Sequence, residues 1–214
     1  RRLAWLRTTP LGAAVLPGFS VGQVTACRFY SGGFNHTYQV KTADGRTYYL
    51  RAYRTRWRTL DDIRYEIDVL NHLKQRGFPA AYPLPYADGN DFCAVPAPEG
   101  QRYLALFAEA PGREISYDHE PEEMAGRYGR AVARMHNALD DFRSPHRRFH
   151  KDIAHFVERP LRSIEPFLAQ RPGDWAYVRR FAETLRTRIQ RLPAGELEQG
   201  FIHFEGQVGE ELED

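Results

Sequence analysis

Residues 24–66 constrain this chain more tightly than any other segment, because three strand-like runs are joined there by very short connections. Residues 24–30, 37–42 and 47–53 are each rich in β-branched and aromatic side chains. Ala43-Asp44-Gly45-Arg46 separates the second run from the third, and its Asp-Gly pair is a strong hairpin signal because both residues tolerate positive φ. Ser31-Gly32-Gly33-Phe34-Asn35-His36 separates the first from the second. Two tight connections imply an antiparallel meander.

The same segment carries candidate chemistry. A Gly32-Gly33 pair lets backbone N–H groups approach an anion closely, and Ser31 and Asn35 add polar side chains at the loop rim. Arg51, on the third strand, is expected beneath that loop with its cation aimed at the same space. Thr59 with Asp62 resembles a capping box, Gly77 marks a helix end, and Ile63, Ile67, Leu70 and Leu73 form one helical face. Glu66 adjoins that face, so packing the helix on the sheet brings a carboxylate towards Arg51. A glycine turn, a strand cation and a helix carboxylate in this order are parts of a nucleotide-binding lobe of kinase type. Singly they are ordinary: a Ser-Gly-Gly turn is usually only a turn, and a strand arginine usually a solvated side chain. The ordered set carries the reading.

Residues 1–23 read as a short helix and a loop, a packing arm on the lobe. Three prolines between residues 78 and 85 indicate an extended crossing. Residues 91–95 and 102–107 are two further strands joined by a turn at 96–100, giving a five-stranded antiparallel sheet with one inserted helix. Ala108-Glu109-Ala110-Pro111-Gly112 follows, a small-residue connector where a planar base can meet the backbone or which is simply a linker. Beyond it the apolar period changes to that of helices. Pro121 opens a long one with Met124, Tyr128, Ala131, Val132, Met135 and Leu139 on one stripe, and His136 near the stripe's end is expected to be partly buried and hydrogen-bonded. Residues 143–151 read as a basic surface loop. Residues 161–168 and 174–192 supply two more helices, the latter capped by Asp174. The organisation expected is a lobe at 1–107, a hinge at 108–112 and a mainly helical lobe at 113–214, an α+β fold.

Composition narrows the classes. An apolar fraction of 42% with 13% aromatics indicates a globular chain, and a net charge of +2 gives no argument for a nucleic-acid partner. No apolar run approaches the length of a membrane helix, and the basic start has too short an apolar patch for a signal peptide. Cys27 and Cys93 lie outside any zinc-ligand spacing; free thiols of a reducing cytoplasm are favoured over a single disulfide between them. The first residue is not methionine, which reads as the mark of a fragment.

Several segments together resemble the aminoglycoside phosphotransferase and choline kinase family, which includes type II homoserine kinases and a bacterial stress-response protein kinase. They are Ser31-Gly-Gly-Phe-Asn-His-Thr-Tyr-Gln-Val40, Tyr49-Leu-Arg-Ala-Tyr-Arg54, Tyr65-Glu-Ile-Asp-Val-Leu70 with Gly77-Phe-Pro79, residues 106–112, and Gly129-Arg-Ala-Val-Ala-Arg-Met-His136. The resemblance implies a protein-kinase-like fold that moves the γ-phosphoryl group of ATP, or GTP, to the hydroxyl of a small molecule with Mg²⁺. It places Arg51 where protein kinases hold the α and β phosphates with lysine, and Glu66 as its helix partner. The backbone of Ala108 and Ala110 receives the base beneath Phe107. Gly200-Phe-Ile-His203 resembles the start of the catalytic loop, yet His203 is followed by Phe204-Glu205-Gly206 and not by Gly-Asp, and no downstream Asn exists. The implied base and metal ligands are therefore absent, no catalytic residue is assigned, and the chain is expected to be inactive as written, with a truncated or frame-shifted tail. The alternatives are a nucleotide-binding pseudokinase and a fragment of a stress-response Ser/Thr protein kinase.

Overall fold

The computed structural model describes residues 15–55, 57–114, 121–196, 200, 210 and 211. The chain divides into two compact units: residues up to Arg147 with 210–211, and residues Arg148–Gly200.

In the first unit, strands β1 (Val24–Gly32), β2 (His36–Thr42), β3 (Thr47–Ala52), β4 (Cys93–Ala97) and β5 (Gly100–Ala108) form one antiparallel sheet in the order β1-β2-β3-β5-β4. The hairpin between β2 and β3 turns on Gly45 at φ 83°, with its N–H donating to the Thr42 carbonyl at 3.0 Å. Alternate residues of the strands point to opposite faces. Tyr38 and Val40 of β2, Tyr48, Leu50 and Ala52 of β3, and Leu104 and Leu106 of β5 are buried on one face. Val15, Leu16, Phe19 and Val21 cover that face, as expected of an arm packed on the sheet, while residues 1–14 of that arm lie outside the described residues. β1 runs two residues past its expected end, because Ser31 and Gly32 pair with Thr37 and His36 and only residues 33–35 turn the corner. β4 is shifted towards Ala97 in the same way, its last pair with β5 being Ala97 and Gly100.

Helix α1 (Leu60–Gln75) is inserted between β3 and β4. It begins with the expected capping box: Thr59 Oγ1 accepts from Asp62 N–H at 3.1 Å, and Asp62 Oδ2 accepts from Thr59 N–H at 2.9 Å. Thr59→Ala removes one of two reciprocal caps and is expected to lower stability by about 1 kcal/mol in urea unfolding; no loss would mean that the helix start is held by packing alone. Gly77 at φ 67° follows the helix, a backbone conformation glycine adopts freely. Ile63 and Ile67 of α1 pack with Tyr53, Ala105 and Phe107 on the sheet's other face. At its far end Leu73 joins Leu139 and Phe142, and Asp141 accepts from Arg76 and lies 3.2 Å from His72 Nε2. Leu139 closes helix α2 (Pro121–Leu139), whose expected apolar stripe coincides with its less exposed residues. His136 is partly buried as expected, but its Nε2 is buried without a hydrogen-bond partner among the described residues. Two-residue strands β6 (Arg113–Glu114) and β7 (Glu210–Glu211) pair antiparallel.

The second unit contains a π-helical turn at Ala154–Glu158, α3 (Arg159–Ile164) and α4 (Pro172–Gln190). Asp174 does not cap α4. The helix starts earlier, at Pro172, whose fixed φ suits a first turn, and Asp174 pairs with Arg171 at 2.5 Å. No helix among the described residues is long and apolar enough to cross a membrane.

Candidate functional site

The site grows out of the alternation of β3. Leu50 and Ala52 point into the core beneath the arm, so Arg51 and Tyr53 face α1. The Arg51 Nη1–H donates to Glu66 Oε1 at 2.5 Å, and both side chains are partly exposed, at 33% and 26%. Arg51 and Glu66, paired from spacing in the sequence, therefore meet. The guanidinium also lies over the Phe107 ring, 4.6 Å from its centroid. Held by an acid on one side and an aromatic face below, its remaining N–H donors form a fork of the kind that matches a phosphate.

Register aligns the glycine turn with this cation. Ser31, Thr37, Arg51 and Ala105 stand in one row across β1, β2, β3 and β5. A register shift between Phe29 and Ser31 places an extra residue, Tyr30, on β1, and its ring meets Tyr49 at 5.2 Å. A bulge of this kind re-aims side chains at a sheet edge. Neither Gly32 nor Gly33 has positive φ, so their value is the missing side chain. A Cβ on Gly32 would lie 2.9 Å from the Phe29 ring, whereas one on Gly33 would meet nothing. Inside the turn, Gly33 N–H donates to the Asn35 carbonyl at 3.1 Å. Asn35 Oδ1 accepts from Arg54 N–H at 3.2 Å, which fastens the turn to the segment after β3. Phe34 strengthens that tie by stacking on Trp57, at 5.4 Å and 20° between planes. Two of the expected phosphate-facing groups are thus partly committed to holding the loop.

At the connector, Ala108 N–H donates to the Tyr82 carbonyl at 2.9 Å, because residues 82–84 run beside the end of β5. Ala110 N–H meets no backbone carbonyl among the described residues.

Four side chains on this face were not singled out from the sequence. Gln39 Nε2 donates to Tyr49 Oη at 3.4 Å, and Tyr49 Oη donates to Glu109 Oε1 at 3.5 Å, a polar line from β2 to the connector. Counting back by two from Arg51 finds Tyr49, and the register opposite it finds Gln39. Tyr53 is the fourth, 2% exposed and packed with Ile63, Ile67, Ala105 and Phe107. Burial first, and then the Glu66 charge, push its phenol pKa upward, with Arg51 opposing.

His203 and Glu205, where the catalytic loop was expected, lie outside the described residues. Among the described residues, no cluster of three or more His, Cys, Asp or Glu is placed to hold a metal ion. Cys27 and Cys93 are free, and burial together with the Asp88 charge pushes the Cys93 thiol up to about 11.

The sequence profile of the phosphotransferase enzyme family matches residues 26–206. An uncharacterized protein of Deinococcus radiodurans is 37% identical over 171 residues, covering 80% of this chain and 48% of that protein. Amicoumacin kinase of Bacillus subtilis is 28% identical over 192 residues, covering 89% and 54% respectively. A solved amicoumacin kinase, in complex with AMP-PNP, Ca²⁺ and Ami, superposes with a TM-score of 0.67 at 22% identity, over 85% of this chain and 53% of that one. The chain spans about half the length of the curated relatives it matches.

Proposed function

We propose, from the premise that this chain belongs to the phosphotransferase enzyme family, that it carries the nucleotide-binding part of an ATP-dependent kinase acting on the hydroxyl of a small molecule. The observation that carries the reading is the Arg51–Glu66 pair, aligned across the strands with Ser31 at the glycine turn. Arg51 and the loop at residues 31–35 take the polyphosphate, and Ala110 N–H, with Ala108 beside it, takes the base. ATP is the expected donor, with GTP the alternative. The solved amicoumacin kinase, bound to AMP-PNP and Ca²⁺, supports nucleotide and divalent-cation use within this fold. Two free thiols suit a reducing cytoplasm.

Binding and turnover separate in this proposal. Phosphoryl transfer depends on positioning and charge neutralisation by a base and metal ligands. After His203 the sequence offers Glu205 but neither Gly-Asp nor a later Asn. The 214-residue chain is therefore proposed to bind ATP without transferring its phosphate, which is also what a pseudokinase would do.

Thermal-shift titration with ATP and GTP, alongside a phosphate-release assay with alcohol acceptors, tests both halves. Saturation at a hundred times Kd should stabilise the chain by about 2.7 kcal/mol. That corresponds to a rise of roughly 5–11 °C for a chain of this size. No shift with either nucleotide removes the binding site, and acceptor-dependent turnover removes the claim of inactivity.

A further inference from the structure

Tyr53 lies one position past the end of β3, and its N–H donates to the Tyr103 carbonyl at 3.0 Å, so the pairing with β5 continues through it. That bond and the cage of Ile63, Ile67, Ala105 and Phe107 fix the ring. The hydroxyl is buried against both Arg51 and Glu66, near enough for each to act on it, yet among the described residues it completes no well-formed hydrogen bond. Packing does not explain it, because phenylalanine fills the same space without burying an unsatisfied oxygen. Glu66 meanwhile accepts from the guanidinium, which any phosphate would compete for.

We propose that the Tyr53 hydroxyl is a positioning group for Arg51: when a polyphosphate competes for the guanidinium, the phenol donates to the Glu66 carboxylate and keeps that acid directed at Arg51. The inference rests on the reading of this face as a nucleotide site. Its logic is exchange. An arginine fork shared between two acids neutralises each less completely, and a second donor beside Glu66 offsets the difference. Burial and the neighbouring carboxylate keep the phenol protonated, so it remains a donor throughout the neutral range. In the absence of ligand the hydroxyl contributes nothing to stability and is the cost of having the donor present.

Tyr53→Phe separates this from a structural role, because the two predict opposite signs. Without ligand, the variant is expected to melt at the wild-type temperature or above it, since an unsatisfied buried hydroxyl is removed. Its affinity for ATP, read by calorimetry on the same 214-residue chain, is expected to fall about tenfold. In an Arg51→Ala background the substitution should have no further effect on ATP affinity, because the phenol acts through that guanidinium. A variant that melts lower without ligand shows a hydroxyl already used in the free protein, and a variant that binds ATP as tightly as wild type shows a hydroxyl with no part in binding; either result overturns the inference while leaving the nucleotide site intact. A wild-type chain that does not bind ATP removes both readings, and it is recognised before any variant is made.

Discussion

Arg51→Ala is expected to abolish nearly all of the stabilisation that ATP gives this chain. The guanidinium is joined to Glu66 at 2.5 Å and supported by the Phe107 ring, so its direction is set before any ligand arrives. A cation pre-aimed in this way loses little freedom on binding, and that gain disappears with the side chain. Two charge-assisted hydrogen bonds to phosphate are worth about 3 kcal/mol together, or roughly a hundredfold in Kd. At an ATP concentration giving about 2.7 kcal/mol of stabilisation to the wild type, the variant would retain about 0.4 kcal/mol. The free protein should change much less. Arg51 and Glu66 are both partly exposed, and a solvated pair of this kind contributes about 1 kcal/mol or less. Arg51→Lys is the informative companion: it keeps the charge but loses the fork, so partial recovery of the ATP shift is expected. An unchanged ATP shift in Arg51→Ala would place the phosphate elsewhere.

Leu50→Ala should have the largest effect on the fold. Leu50 lies on the central strand of the sheet, fully buried, with Tyr38 opposite it on β2 and Leu106 opposite it on β5. The substitution leaves a cavity between paired strands that pack beneath the arm and have little room to collapse. A loss of about 3 kcal/mol is expected in urea unfolding. That is a large share of the total stability of an ordinary domain. Because adjacent strand residues face opposite ways, Arg51 keeps its contact with Glu66 in whatever fraction stays folded, so ATP affinity per folded molecule should hold. A loss below 1 kcal/mol would mean that this row is not a close-packed core.

The parts of this molecule that could be read in the sequence are those decided by neighbours along the chain. Thr59 and Asp62 cap α1 because they are three residues apart, and Asp44-Gly45 turns the hairpin because glycine tolerates the required φ. The Arg51–Glu66 pair is nearly as local. A strand parity and a helical face place both groups on the interface once the helix packs on the sheet. Asp174 is the case where a local rule misled, since Pro172 starts the helix earlier and Arg171 takes the carboxylate.

What could not be read depends on strands and segments distant in sequence. The N–H of Ala108 is taken because residues 82–84 run alongside β5, with Tyr82 accepting from it. Asn35 reads as a polar side chain at the loop rim, and it is the return of β3 that brings Arg54 N–H to its side-chain oxygen. Tyr30 reaches Tyr49 because β1 holds one more residue than β2 at that point, and register is a property of two strands.

The sequence by itself determined which residues alternate, that Thr59 and Asp62 cap α1, and that one cation and one acid would share a face, because each follows from covalent spacing of a few residues. Only the tertiary structure decided which polar groups remain open to a ligand. A hydrogen-bonding group is satisfied by whatever the fold brings within about 3 Å of it, and that partner can lie anywhere in the chain.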